Sequence, residues 1–391
     1  MSFKRYIWNT LNNSYNELLI KLGRQGEKRK FKDPRRETIY TKVLLTKEQK
    51  KAIDNLYVTN YGKKIPYIWH RHYTAYTGNF DVNYFPELLF IPEFERFENL
   101  NKKHTKVFED KNVLYLLSKS MGVKMPKSLF MSIAGIVRDS NNNILSRKEL
   151  KEALNNIGEA FIKPTIDSCS GNGCQVIDVQ NGIDLKTGKS IFEIIDSKGS
   201  DWTIQERLIC HESIRNIYSQ SVNTFRIITY RWKNNIFHMP VIMRIGQGGS
   251  NLDNAHAGGM FIAVDDDGTL HQKAFTEFKN EFVEHPDTKL KFEGYRIDLF
   301  EKVLSTALHC HTILSQVGCI NWDFTIDESG NPILIEANMN GGSIWMFEMA
   351  HGCGPFGEKT PEILRWIRLM EKTKHSERYK YAFGCMGEDN E

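Results

Sequence analysis

Apolar side chains near the start of the chain fall at Phe3, Ile7, Leu11, Tyr15, Leu18 and Leu19, a spacing that predicts one helical stripe over 3–20. Such a stripe packs on its own domain or lies on a membrane surface, and packing is the commoner outcome. Residues 57–97 are dense in aromatics, among them Tyr57, Tyr61, Trp69, Tyr73, Tyr84, Phe90 and Phe94, with His70, Arg71 and His72 between them. Pro66, Pro86 and Pro92 interrupt any period. The stretch therefore reads mainly as packing within a non-repetitive N-terminal region, with His70 and Arg71 as candidates to face an acceptor.

From about residue 105 the pattern becomes regular. It predicts a helix over Lys106–Met121 ended by Gly122, a strand over Ser128–Arg138, and a turn in the Asp-Ser-Asn-Asn-Asn run after it. Ser146 and Glu149 form a capping box for a helix reaching Asn156. Strands follow at Glu159–Pro164, Cys174–Val179, Thr203–Glu206, Thr224–Trp232 and Phe237–Ile245, with a helix near Ile191–Ser197. A glycine-rich stretch at 246–259, a helix over 296–315, a hairpin over 319–337 and a helical segment from Pro361 complete the pattern. Strands and helices interleave without strict βαβ alternation, which predicts an α+β fold.

Length and composition narrow this picture. The 391 residues fit two or three domains, and 40% hydrophobic content supplies a core without staples. The seven cysteines are scattered and form no CxxC pair, so a disulfide framework or zinc site is not expected and a reducing, cytoplasmic setting is. No apolar run is long enough to span a bilayer, and the polar segment after the basic N-terminus lacks the core of a secretory signal. Charge is uneven. Residues 1–50 carry 13 Lys and Arg against 5 Asp and Glu, and eight of those basic residues lie between Lys21 and Arg36. That run is either a solvated helix end or a contact for anionic lipid or another polyanion.

The sharpest chemistry lies in the hairpin Gly318–Asn338. Glu328-Ser329-Gly330-Asn331 is a turn cluster between two apolar runs. With Ser329 and Gly330 as the loop, Asp323 and Glu336 face each other, and Asn338 shares their side of the strand. Like charges directly opposite destabilise a sheet unless a cation lies between them. Two carboxylates and an amide oxygen are ligands that magnesium accepts. Taken alone, the same residues also suit a solvent-facing strand.

Further pieces precede it: Asp110-Lys111, Phe161-Ile-Lys163-Pro, the Ser168–Gly173 loop and Ile204-Gln-Glu206-Arg-Leu208. In this order they resemble the ATP-grasp superfamily, which includes D-alanine–D-alanine ligase. Ser221–Thr229, Met243-Arg244-Ile-Gly and Asp253-Asn254 with Gly258-Gly259 resemble its branch associated with sugar transfer and polysaccharide gene clusters. The resemblance runs from about residue 65 to 370.

The resemblance implies two α+β lobes clasping ATP, with residues 1–104 as an N-terminal basic and aromatic-rich region. Residues 105–200 would form the first lobe with its glycine-rich loop, and 201–391 the second with the metal hairpin. Lys111 and Lys163 would meet the ATP phosphates, and Ser170, Gly171 and Gly173 would offer backbone amides to the triphosphate. Glu206 and Leu208 would belong to the hinge against adenine, and Glu212 or His211 would meet the ribose. Asp323, Glu336 and Asn338 would hold magnesium, and Arg226 and Arg244 would stabilise charge on the reacting groups.

One departure stands out: many of these ligases carry a basic residue two positions before the metal aspartate, where this chain has Asn321. The implied activity is carboxylate–amine ligation through an acylphosphate, joining an amino acid or small amine to a carboxylated sugar or polysaccharide precursor, nucleotide- or lipid-linked. No nucleic acid partner is expected. The alternatives are a kinase on the same fold and a non-catalytic nucleotide-binding module.

Overall fold

Two antiparallel sheets organise the chain in this computed structural model, which describes residues 3–166 and 173–385. The first is built from β1 (Ser128–Ile133), β2 (Ile136–Asp139), β3 (Gly158–Pro164), β4 (Gln175–Gln180), β5 (Ile183–Asp184) and β6 (Trp202–Glu206), in the order β2-β1-β6-β3-β4-β5. The second is built from β7 (Thr224–Trp232), β8 (Asn235–His238), β9 (Val241–Ile245), β10 (Met260–Val264), β11 (Leu270–Phe275), β12 (Glu281–Phe282), β13 (Cys319–Ile326) and β14 (Pro332–Asn338). Its order is β12-β11-β10-β9-β7-β13-β14, with β8 beside β7. All strand pairings within these sheets are antiparallel among the described residues, so the α+β expectation holds.

Side chains alternate along each strand, and this divides the second sheet into two apolar faces. Phe225, Ile227, Met243, Ile262, Trp322 and Phe324 point to one, which the helix Phe300–Ile313 covers. Ile228, Tyr230, Trp232, Ile242 and Phe261 point to the other, where N-terminal aromatics such as Trp69, Tyr73, Phe90 and Phe94 pack. The same alternation puts Arg226, Arg244, Asn321 and Asp323 on that second face. The first sheet covers one face with the helices Arg147–Leu154 and Ile191–Asp196, each opened by a capping box, at Ser146 and Ser190. Its opposite face buries Ser128, Lys163, Thr203 and Gln205.

Several elements differ from expectation for local reasons. The first helix runs Phe3–Lys30, past Gly23, where a Cβ would stand 3.2 Å from the Pro92 ring; close packing accounts for the glycine. Ile20 is buried and Leu19 half-buried, but Ile7, Leu11, Tyr15 and Leu18 of the predicted stripe are exposed, as is Leu22, so most of that stripe does not pack on its own chain. The helix predicted over 106–121 is two, Lys102–Glu109 and Lys111–Ser118, because Asp110 leaves helical geometry and caps the second through the Asn112 and Val113 amides. The strand predicted over 128–138 is a hairpin that turns at Ala134 and Gly135, both at positive φ. The strand predicted over 237–245 is interrupted at Met239-Pro240, since proline has no N–H for the ladder, and both parts still pair with β7. His70 is buried with Nε2 3.2 Å from the Val82 carbonyl, and Arg71 donates to the Val43 and Thr41 carbonyls, so neither faces an acceptor.

Candidate active site

The hairpin of β13 and β14 pairs Asp323 with Glu336 and Asn321 with Asn338. Its loop has three residues: the Gly330 amide donates to the Asp327 carbonyl, and the Asp327 amide to the Asn331 carbonyl. A bulge between Phe324 and Asp323 then shifts the register by one and brings the two carboxylates opposite each other. Asp323 is buried, Glu336 remains a quarter exposed, and Asn338 is half-buried beyond it.

Cations converge on this pair. Arg226 lies directly across from Asp323 on β7 and donates from Nε and Nη2 to its two oxygens, at 2.5 and 3.0 Å. Arg244, from β9, places Nη2 3.0 Å from Asp323 Oδ2. Lys111, the first residue of its helix, places Nζ 3.0 Å from Glu336 Oε1. Lys163 is delivered by β3 of the other sheet; it is buried and makes no ion pair among the described residues.

Burial and then the Lys111 ammonium depress Lys163 to about 8, against the pull of Glu336 and Asp323. Burial would raise the Asp323 carboxyl, but Arg226 and Arg244 more than offset it and hold its pKa below the ordinary value. The Cys174 thiol, near Lys163, is pushed up by burial.

Three contributors to the cluster were given no role from sequence. Asp253 stood only in the Asp253-Asn254 motif of the family resemblance and the glycine-rich stretch; its Oδ2 accepts from the Thr224 amide at 3.0 Å and lies 3.7 Å from Arg244 Nε. Thr224 Oγ1 accepts from Arg244 Nη2 at 2.7 Å. Glu95, from the N-terminal region, accepts the Gly341 and Gly342 amides at 2.7 and 2.8 Å and so holds the loop that follows Asn338. Burial, opposed by those amides, pushes its carboxyl up to about 7. Side chains that meet only in three dimensions leave no spacing signal, so no periodicity announces them.

Of the remaining predicted residues, Gly173 adjoins Cys174 and so the Lys163 end of the cluster, whereas Glu206, Leu208, His211 and Glu212 make no hydrogen bond or ion pair to it among the described residues. Glu206, at the end of β6, is exposed and pairs with Lys127 at 2.9 Å; Leu208 is half-buried. Glu212 is the exposed first residue of a short helix, and His211 caps that helix by accepting the Ser213 amide. Gly173 has a φ of 76°, and a Cβ there would stand 2.9 Å from Pro164 Cγ, so both conformation and space demand glycine. Ser170 and Gly171 lie outside the described residues.

The donor set fits magnesium. Asp323, Glu336 and Asn338 offer hard oxygens from one hairpin. Asp323 Oδ1 accepts one hydrogen bond, from Arg226, which leaves a lone pair on that oxygen. Lys111 and Arg226 meanwhile balance the charge that a metal would otherwise balance.

Among solved structures, the chain is similar to N5-carboxyaminoimidazole synthetase from Staphylococcus aureus complexed with ADP. Identity is 15% and TM-score 0.36, over 61% of this chain and 46% of that one. It is also similar to D-alanine–D-alanine ligase from Helicobacter pylori, at 14% identity and TM-score 0.37, over 66% of this chain and 58% of that one. The corresponding ligase from Bacillus anthracis gives 14% and 0.37, with 69% of each chain covered. The chain thus spans about half the length of the first of these proteins. No protein of curated function matches the sequence. The sequence profile of the sugar-transfer-associated ATP-grasp family matches residues 91–361, well over half of the chain. By that match, the chain belongs to the sugar-transfer-associated ATP-grasp family.

Proposed function

We propose that this chain is an ATP- and magnesium-dependent carboxylate–amine ligase. One observation carries the reading: Lys111 and Lys163 meet Arg226 and Arg244 around the Asp323–Glu336 pair, with contributions from both sheets. Such a site suits a polyanion that brings its own divalent cation. Lys163 and Lys111 would neutralise the triphosphate, with amides of Ser170, Gly171 and Gly173 over it. Glu206 and Leu208 would form the hinge against adenine, and Glu212 or His211 would meet the ribose. Asp323, Glu336 and Asn338 would hold magnesium, which when bound offsets charge on the phosphoryl oxygens.

A carboxylate is a poor acyl donor until its oxygen is phosphorylated; the acylphosphate then yields to an amine with phosphate as the leaving group. Arg226 and Arg244 would steady the oxyanion of that step. Most of the work is positioning and charge stabilisation, the usual balance in phosphoryl transfer. We place residues 1–104 as an accessory region and 105–391 as the ATP-grasp unit, acting in the cytoplasm. The activated carboxylate belongs to a sugar or polysaccharide precursor and the attacking amine to an amino acid or small amine, with peripheral membrane contact through the basic run 21–36. Among the described residues no helix is long and apolar enough to cross a membrane.

The test is a panel of uronic acids, nucleotide-linked uronic acids and amino acids, with ADP release and product mass measured together. ADP release that needs both substrates, with a product one water lighter than their sum, supports the ligase. A phosphoryl group gained on a hydroxyl without any amine marks a kinase, and binding without turnover marks a nucleotide-binding module.

A further inference from the structure

Ile7, Leu11, Tyr15, Leu18 and Leu22 are 42%, 62%, 59%, 50% and 52% exposed along the helix Phe3–Lys30. Their spacing of four, four, three and four keeps them on one side of the helix, over a length of roughly 22 Å. Five large apolar side chains in line are more than the scattered exposure of ordinary surfaces. The next steps of that spacing lead to Gln25 and then Arg29, so the stripe points at Arg29.

Arg29 lines a cavity of about 470 Å³, with Lys30, Arg35, Arg36, His256 and Phe278. Asp33 and Glu277 are the acids in its wall, and both serve to orient cations. Asp33 Oδ2 accepts from Arg35 Nη2 at 2.7 Å, and the Arg35 guanidinium lies 3.7 Å over the Phe278 ring. Glu277 takes Arg36 Nη2 at 2.7 Å on one oxygen and faces His256 Nδ1 at 2.8 Å on the other. Lys30 is turned to Glu27 at 2.8 Å and Glu87 at 3.5 Å, so the cavity's own balance is Arg29, Arg35 and Arg36 against Asp33 and Glu277, one positive charge before His256 is counted. A guanidinium held at one edge keeps further N–H donors for a second oxyanion. Several such forks in one cavity match the many oxygens of a phosphate or diphosphate better than a single carboxylate.

The cavity is also within reach of the candidate active site. His256 is three residues from Asp253, so their Cα atoms are at most about 11 Å apart. Across the sheet, Arg244 pairs with Phe261 and Phe261 with Phe275, which puts the end of β11 two strand spacings, roughly 10 Å, from Arg244. A monosaccharide carrying a phosphate or diphosphate covers such a span.

Resting on the ligase reading above, we propose that the carboxylated sugar substrate is membrane-anchored: the apolar stripe seats on a bilayer, and the Arg29–Arg36 cavity takes the phosphate or diphosphate joining the sugar to its lipid. The charge of the cavity favours an anionic bilayer surface over a second copy of the chain, whose equal charge would repel.

The test is co-sedimentation of the full chain with phosphatidylcholine vesicles, with and without phosphatidylglycerol, while Mg–AMP-PNP saturates the nucleotide site. Wild type should bind and should prefer the anionic vesicles. L11Q/L18Q, changed only at exposed positions, should weaken binding about tenfold or more. R29Q/R35Q should lose the anionic preference, as should wild type in excess inorganic pyrophosphate. Absence of vesicle binding, or wild-type binding by L11Q/L18Q, overturns the proposal. So does saturable pyrophosphate binding without vesicle binding, which assigns the cavity to a soluble ligand, and so does a dimer that L11Q/L18Q dissolves. AMP-PNP affinity is measured separately, so vesicle binding without nucleotide binding would sink the ligase reading, and with it the substrate assignment, while leaving the bilayer contact of the first helix standing.

Discussion

Arg226 stands directly across the sheet from Asp323 and grips both of its carboxylate oxygens. This relationship bears on the missing basic residue at Asn321. The guanidinium comes from the neighbouring strand, two residues displaced in function but level in space. Asn321 itself is buried, and Gly342 is packed so closely that a Cβ there would stand 2.0 Å from Asn321 Nδ2. A long basic side chain has no room at position 321.

Asp323→Asn should therefore cost stability as well as function. The amide leaves the mostly buried Arg226 and Arg244 guanidiniums short of a counter-charge, which costs about 3 kcal/mol. Urea unfolding measures it, and Asp323→Asn/Arg226→Met should recover part of the loss. A loss below about 1 kcal/mol would make Asp323 an ordinary surface-type pair.

Lys163 should make nucleotide binding pH-dependent. Its ammonium is depressed to about 8 in the free protein, by burial first and then by Lys111. In the free protein this works against folding below that pH, where the charge is buried; the penalty fades as pH rises from about 8 toward the unfolded value of about 10.4. A bound triphosphate favours the charged form and raises the pKa. Mg–AMP-PNP binding near pH 8 should thus take up a fraction of a proton, and affinity should fall as pH rises above 8. Titration calorimetry in buffers of different ionisation enthalpy reads the proton directly. Lys163→Met should abolish the uptake, and an unchanged uptake in that variant would remove Lys163 from the site.

Gly342→Ala should destabilise the loop after Asn338. The added methyl meets the buried Asn321 side chain, which has little freedom to move, and overpacking of this kind costs about 1–3 kcal/mol. Asn321→Ala in the same chain opens the space and should restore part of the loss; a thermal melt that does not distinguish Gly342→Ala from wild type would contradict the contact.

Much of the second sheet was legible because its strands are long and their apolar residues alternate. The Asp323–Glu336 pairing was legible for a reason that proved incomplete. A two-residue loop and an unbroken ladder give the same opposition as the three-residue loop and bulge found here. Asp110 was misread because a capping aspartate inside an apolar-periodic stretch looks like one more helical position. The aromatic stretch gave packing but no topology, since its partners Tyr230 and Trp366 lie far along the chain. Asp253 and Glu95 were not legible as site residues, because their roles depend on loops brought together by the fold. The exposed side of the first helix could not be told from a buried one either, since both present the same spacing.

Glu336 offers the most direct test of magnesium and ATP at this hairpin. It is partly exposed but pairs with the buried Lys111 at 3.0 Å, so Glu336→Gln should lower the melting temperature less than Asp323→Asn does, and binding is compared at a temperature where both proteins are folded. Titration calorimetry of Mg–AMP-PNP into both proteins should show saturable binding by wild type and affinity about tenfold or more weaker in the variant. Equal affinity in the two, or no binding by wild type, would contradict the account.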